Sequence, residues 1–301
     1  MKPSDLEMLR RSGQITATAR ETGKKMIKAG TRLEDIARET ERIIREMGGG
    51  LAFPAQLSRN NIAAHYCSPI GDPTVVEEGD IIKLDVGAHI DGWVTDSATT
   101  VDLRNGPDSA LVAASRVALE NAISLMGPEA SITEIGHQIE QTVIAFGLKP
   151  IYNLTGHGVS RYTVHCKPSI YSYAEANAGR LRAGQTVACE PFVCDGAGYI
   201  ENRGEPEVFG LKRKIKPRDR ISKDVEAALE SIHGLPFARR NLIEHLGTAE
   251  RVEKALQNLA KARILLDYPP LAEKPGVRVA QTEHTIFIHD DGAEVLTRLD
   301  D

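Results

Sequence analysis

The segment KLDVGAHIDGWVTDSATT, Lys83 to Thr100, constrains the fold of this chain more than any other stretch. It reads as two strands joined by a tight connection at Asp91-Gly92, yet it carries acids at Asp85, Asp91 and Asp96. Strand interiors are depleted in Asp, and a buried carboxylate without a partner is costly. Asp91 falls in the turn, where local hydrogen bonding accounts for it. Asp85 and Asp96 need another explanation. A hairpin closing around residues 90–92 can bring both onto one face, with a bulge to adjust the register. Lys83 shares the strand parity of Asp85 and is a candidate salt-bridge partner. Metal ions would satisfy the pair more directly, because hard and borderline divalent cations accept carboxylate oxygens.

Further candidate ligands stand later in the chain. His157 lies in NLTGHGVSRYTVH with a glycine on each side, Glu190 in TVACEPFV and Glu283 in AQTEHTIFI. Each glutamate interrupts an otherwise strand-like run. One buried acid reads as a salt-bridge member, but two aspartates, a histidine and two glutamates suggest a shared inorganic partner. Unrelated core ion pairs are the competing account. If the five meet, two ions bridged by carboxylates and water are expected, with Glu190 and Glu283 as candidate bridges. Asp85 would then favour one ion, His157 the other, and Asp96 would span them. No G-x-S-x-G element points to a serine hydrolase, and Cys67 near His65 is weak support for thiolate chemistry.

The pattern of elements suggests a duplicated arrangement. Ser4 or Asp5 can cap a helix running to about Lys28. After Gly30, Thr31 and Glu34 form a capping-box pattern ahead of an apolar stripe of Leu33, Ile36, Ala37, Ile43, Ile44 and Met47. Gly48-Gly49-Gly50 ends that helix, and strands and loops are expected over residues 51–101. The order begins again near Pro107. A helix leads to Gly127-Pro128, Ser131 with Glu134 opens another that runs to Phe146-Gly147, and strands continue to about Val193. Asn105-Gly106-Pro107 is the expected junction, dividing one catalytic domain, 1–301, into halves 1–105 and 106–301. Helical patterns at 221–230 and 248–259, with a shorter one at 237–246, read as part of an inserted region over about 205–267. Val277 to Ile288 then reads as a strand returning to the core. The basic run Lys212 to Arg218 reads as a solvated linker.

Composition limits the classes of function. The 301 residues carry a formal charge of -5, and 41% are hydrophobic and 26% charged, as in a soluble globular protein. With a pI of about 6.0, the balance gives no reason to expect nucleic-acid binding. Four cysteines without a C-x-x-C pair fit a reducing compartment. No apolar run reaches membrane-spanning length, and the first residues turn amphipathic without a signal-peptide core, so a cytoplasmic location is expected.

Taken together, FPAQLSRNNIAAHY, KLDVGAHIDGWVTD, GHGVSRYTVH, CEPF, LLDYPPL and TEHTIF make the chain resemble the methionine aminopeptidases, particularly the type II group of archaea and eukaryotes. The resemblance covers most of the chain. It implies an α+β, pseudosymmetric pita-bread fold, with helices outside a curved antiparallel sheet and a helical insertion between Glu190 and Glu283. Carried over position by position, it implies that Asp85, Asp96, His157, Glu190 and Glu283 hold two divalent ions, with Co(II), Mn(II), Fe(II) or Zn(II) as candidates. Glu190 would also accept a proton as the water nucleophile forms. His65 in NNIAAHY and His165 in RYTVH would be nonligand histidines at the substrate, His65 orienting the scissile amide and His165 contacting the peptide and assisting proton movement. Hydrogen-bonded structural histidines are the alternative. His89 fits a less specific position and stays outside the catalytic set.

The resemblance further implies removal of methionine from nascent polypeptide N-termini, with a small second residue preferred. Phe53, Pro54, Val164, Phe192 and Tyr268 match regions lining the methionine pocket, although ordinary core packing explains any one of them alone. A monomer is expected, with transient ribosome association open and no membrane partner. Two features depart from the family pattern. The extended charged N-terminal region of eukaryotic members is missing, which points to an archaeal-like minimal enzyme. GHGVSRY replaces a GHSIG-like continuation, which puts the packing around His157 in question. The closest alternatives are a proline dipeptidase of related fold and a noncatalytic, ribosome-associated member.

Overall fold

The computed structural model describes residues 1–107 and 109–299. Two helices open the chain, α1 (Pro3–Met26) and α2 (Leu33–Glu46). Proline at the first turn starts α1, and neither Ser4 nor Asp5 caps it; Lys2 stands at the cap position without a side-chain bond. The Thr31 capping box is also absent. Arg32 occupies the cap of α2, and the Glu34 carboxylate instead binds Arg32, Arg38 and the Gly71 N–H. Of the expected α2 stripe, Leu33, Ile36, Ala37 and Ile44 are buried, whereas Met47 is exposed.

Strands follow as β1 (Gly50–Leu51), β2 (Gln56–Arg59), β3 (Ile62–Ala64), β4 (Ile81–Ile90) and β5 (Trp93–Asp102). β4 and β5 form a hairpin whose two connecting residues have positive φ, 48° at Asp91 and 83° at Gly92. Such a turn matches the right-handed twist of the strands. The ladder is regular from Ile81↔Asp102 to Ile90↔Trp93, so no bulge is needed to align the acids. β4 also pairs with β1 and β2. On this sheet lies the small-residue face of α1, where the Ser12 hydroxyl donates to Ala88 O and Thr16 Oγ1 accepts from the Ala88 N–H.

The second half repeats the order with α3 (Ala110–Ser124), α4 (Ile132–Ala145) and strands β6 (Lys149–Pro150), β7 (Thr155–Ser160), β8 (Thr163–Tyr171), β9 (Thr186–Cys189) and β10 (Phe192–Cys194). Here one half of the expected capping box is present, since Ser131 Oγ accepts the Glu134 N–H. Then come β11 (Glu201–Asn202), β12 (Val208–Leu211), α5 (Lys223–Ser231), β13 (Phe237–Ala238), α6 (Arg239–Leu246), α7 (Ala249–Lys261), β14 (Leu265–Tyr268), β15 (Leu271–Ala272), β16 (Val279–Gln281), β17 (His284–Ile288) and β18 (Ala293–Val295). A five-stranded antiparallel sheet runs β18-β17-β9-β7-β8. The faces of α5, α6 and α7 close over β12 and β13 in a separate apolar cluster around Phe209, Phe237, Leu242 and Leu259.

The expected strand Val277 to Ile288 is two strands. β16 pairs with β10, β17 pairs with β9, and the chain breaks at Thr282-Glu283. That break joins the halves. Glu283 N–H donates to Ala98 O, Ser97 Oγ donates to Glu283 O, and Asp96 N–H donates to Thr285 Oγ1. Backbone and side-chain groups of β5 therefore stitch the first sheet to the second at the level of the acids.

Candidate metal centre and its cavity

Strand parity and register bring the first two acids together. Asp85 pairs with Ala98 and Asp96 with Gly87, so their side chains leave the same face as diagonal neighbours. Lys83 does not serve as their counter-ion. It is fully buried, and its Nζ donates to Asn60 O at 2.8 Å. Glu190 follows the end of β9 and Glu283 precedes β17, so both stand where the ladder is interrupted. His157 lies inside β7, where its flanking glycines permit close backbone approach. A Cβ on Gly156 would lie 2.4 Å from Ala188 O, and one on Gly158 the same distance from Lys167 O. The ladder between β7 and β8 shifts register at this point.

All five residues converge. Ligand atoms of Asp96, His157 and Glu283 lie within 4.8 Å of one another. His157 Nε2 is 3.7 Å from Asp96 Oδ2 and 3.5 Å from Glu190 Oε1. A side chain that sequence reasoning overlooked, Gln281, donates its amide to Glu190 Oε2 at 3.1 Å and reaches Glu283 Oε2 at 3.5 Å. Its position two residues before Glu283, at the end of β16, was the available signal.

Divalent cations fit this donor set. Asp85 Oδ1, Asp96 Oδ1 and Glu283 Oε1 are buried without a hydrogen-bond partner. Burial pushes the Asp85 carboxyl up to about 7, partly offset by its hydrogen bond with Asp96. Asp96 is raised well above the usual carboxylate range by burial and by Asp85 and Glu190. Glu190 is raised by burial and Asp85, and Glu283 by burial, Asp96, Glu190 and Asp85. Burial and the neighbouring His165 bring His157 down to about 3, so its imidazole is neutral. With Nδ1 near Gly158 O at 3.3 Å as donor, the Nε2 lone pair faces two carboxylates. That arrangement of electron pairs is repulsive unless protons or metal cations lie among them, and the raised carboxyl pKa values report the same crowding.

Asp85, Asp96 and Glu190 line a cavity of about 370 Å³ that also takes in His65, His165, Phe53, Val164, Phe192 and Tyr268. Pro54 is buried but does not line it, and Glu283 sits behind the lining. Beside the apolar residues, Gln56, which the sequence reading passed over, and Asn153 add polar groups. Gly87 has a steric reason, because a Cβ there would meet Phe53 Cε1 at 2.4 Å. His65 holds φ at 67°, pinned by a bond from its N–H to Gln56 Oε1, and its ring stands edge-on to Tyr268 at 5.8 Å. Burial and His165 lower His65 to about 4, leaving it neutral, with Nδ1 unpaired. The His165 ring lies 4.1 Å from that of His157. Solvent reaches His165 at the cavity mouth, while the protein packed around the ring still lowers its pKa by desolvation. Cys67 takes no part: it is buried, its Sγ accepts from Arg240, and burial pushes its thiol up to about 12.

A fold of two helix-strand halves around a buried carboxylate and histidine cluster defines a pita-bread metallopeptidase. The profile of the family described as Metallopeptidase family M24 matches residues 7–289. The methionine aminopeptidase of Archaeoglobus fulgidus is 39% identical over 97% of this chain and 98% of its own length. A crystal structure of methionine aminopeptidase from Thermotoga maritima matches with a TM-score of 0.72 and 25% identity, covering 99% of this chain and 98% of that one. A thermophilic Arx1 gives a TM-score of 0.84 at 18% identity over 100% of this chain and 93% of that one, a likeness of fold alone. The chain belongs to metallopeptidase family M24 and, within it, to the methionine aminopeptidases. Divalent metal ions come with that family, and among the described residues no helix is long and apolar enough to cross a membrane.

Proposed function

We propose that this chain removes methionine hydrolytically from the N-termini of nascent polypeptides in the cytoplasm, using two divalent ions held by Asp85, Asp96, His157, Glu190 and Glu283. Residues 1–301 act as one catalytic unit whose halves meet near 105–106, with 205–267 inserted. The carrying observation is the cluster of unpartnered carboxylate oxygens at a cavity that apolar residues also line. Bound ions would polarise the scissile carbonyl and make a water more acidic, so that hydrolysis proceeds at neutral pH. An N/O donor set suits Co(II), Mn(II), Fe(II) or Zn(II) alike.

The protein's own groups supply the remaining work. Glu190, as the carboxylate beside the ions, accepts the proton of the attacking water. Neutral His65 offers a ring N–H to the oxygen on which charge develops, and His165 at the mouth contacts the peptide and assists proton movement. Phe53, Val164, Phe192 and Tyr268 accept an unbranched thioether side chain by apolar contact, with Pro54 supporting them from outside the lining.

Incubation of metal-loaded protein with Met-Ala-Ser, Met-Leu-Ser, Leu-Ala-Ser and Ala-Pro tests this reading. Rapid release of methionine from the first, slower release from the second and little reaction with the others are expected. Faster cleavage of Ala-Pro would move the assignment to proline dipeptidase. A folded, metal-bound protein inert to all four would favour a noncatalytic role on the ribosome.

A further inference from the structure

Beyond the catalytic cavity the surface continues into two more. Val164, His165, Pro236 and Tyr268 are shared with a passage of about 240 Å³. Tyr162, Leu211 and Gly234 in turn belong both to that passage and to an outer pocket of about 380 Å³ against α5. The three therefore lie side by side, in an order that leads from the acids to the inserted helices. We infer that the passage and the outer pocket receive the substrate polypeptide beyond its second residue, and that the outer pocket selects cationic side chains there. The inference rests on the aminopeptidase reading and extends it to a part of the substrate that the catalytic cavity does not touch.

The passage is preformed. Tyr162, at its junction with the outer pocket, has φ of 53° and lies between two histidine rings, His233 at 4.5 Å and His89 at 5.5 Å. Gly92 lets the ring sit there, since a Cβ at that position would be 2.4 Å from Tyr162 Cε2. The hairpin turn of the first half, the β7–β8 turn and the insertion thus fix one wall together. This assigns a structural use to the tyrosine of GHGVSRY. β8 is the last strand of its five-stranded order, and its segment Thr163–His165 lines the passage. An extended peptide can add backbone hydrogen bonds along such an edge.

The outer pocket supplies the charge. Glu226 and Glu230, one turn apart on α5, line it with Lys214, around an apolar floor that includes Ile215 and Leu229. Carboxylates outnumber the ammonium group, and apolar surface accepts the methylene stem of a lysine or arginine while its head reaches the acids.

The experiment compares Met-Ala-Ser with the same peptide extended by a Gly-Lys-Gly-Lys-Gly or a Gly-Glu-Gly-Glu-Gly tail, at low and at high salt. Both tails should raise kcat/KM over the tripeptide, and the lysine tail should exceed the glutamate tail by roughly two- to fivefold at low salt, the size of an exposed ion pair. In the double variant E226K/E230K that ratio should invert. Equal rates for tripeptide and extended peptides, or a lysine-to-glutamate ratio that the variant does not move, would overturn the inference. If the variant does not fold, the length and charge dependence of the wild-type protein still decides it. Failure to cleave Met-Ala-Ser itself would instead remove the underlying functional reading.

Discussion

Asp85 and Asp96 are diagonal neighbours across one regular hairpin, Asp85 facing Ala98 and Asp96 facing Gly87. Two buried carboxylates are thereby held on one face, and each leaves an oxygen unpartnered. Replacing Asp96 by Asn keeps the shape and removes the charge. Asp96→Asn should lower metal content and reduce turnover by about 100-fold or more, at least the scale seen when a group supporting a metal ligand is lost. Metal stoichiometry and initial rates on one preparation check it, with Asp96→Ala as the more severe comparison. Full occupancy and unchanged cleavage in both would sink the role.

The acids were legible in the sequence because Asp and Glu in apolar strand runs contradict local preference, and His157 because glycines bracket it. Their convergence was not legible in the same way. It depends on β5 meeting the break at Thr282-Glu283, a contact across 186 residues of chain between Ser97 and Glu283. The sequence predicts one continuous strand here, because β-favouring Val277–Ala280 and Thr285–Ile288 flank the polar run Gln281–His284, which is where the strand divides. Parity makes Lys83 a candidate partner for Asp85, but its long stem carries Nζ to Asn60 O. The Thr31 box fails because a Thr-x-x-Glu pattern says nothing about competing partners, and Glu34 has three, while at α1 the proline starts the helix ahead of Ser4 and Asp5.

His65 tests chemistry apart from metal attachment. Its ring faces the cavity and Tyr268, not the acids as a ligand. His65→Ala should retain most of the metal and lower kcat by roughly 100- to 1,000-fold, the usual effect of losing one donor to developing charge. Circular dichroism and metal analysis on the same sample separate this from unfolding. A rate loss that simply tracks lost metal would defeat the assignment.

Metal removal should make stability fall as pH rises. The folded pKa is about 7 for Asp85 and well above the carboxylate range for Asp96, Glu190 and Glu283, against about 4 in an unfolded chain. The folded, metal-free protein therefore binds more protons than the unfolded one across this interval. Stability is fully present below pH ~4 and is lost as pH rises through 7 and beyond. Buried histidines such as His157 oppose this, but their contribution is complete above pH ~6.5. The Tm difference between loaded and chelator-stripped protein should accordingly widen from pH 6.5 to 8.5. A gap that narrows over this range would contradict the raised carboxyl pKa values.

Gly87 links the acids to the apolar lining. A Cβ there would strike Phe53 Cε1 at 2.4 Å, opposite Asp96 in the ladder. Gly87→Ala should push the Phe53 ring into the cavity and raise KM for methionine peptides more than it lowers kcat, because ground-state contact is what it disturbs. A matched fall in kcat with unchanged KM would place the damage at the metal centre instead.

Arg240 fastens the insertion to the first half. Though it lies on α6, its guanidinium is buried against the Glu41 carboxylate of α2 and donates to Cys67 Sγ, Ser68 O and Ala55 O. Glu41 in turn accepts the Ala55 N–H, two residues after Phe53. Removing one partner strands a buried charge. Arg240→Ala should cost about 3–5 kcal/mol of stability, read by denaturant unfolding, while Arg240→Ala with Glu41→Ala should recover part of that loss because neither charge remains unpaired. In the single variant the 52–55 segment loses its clamp, so KM for methionine peptides should rise even below the unfolding transition. A double variant less stable than the single one would show that the residues act through packing and not as a coupled pair.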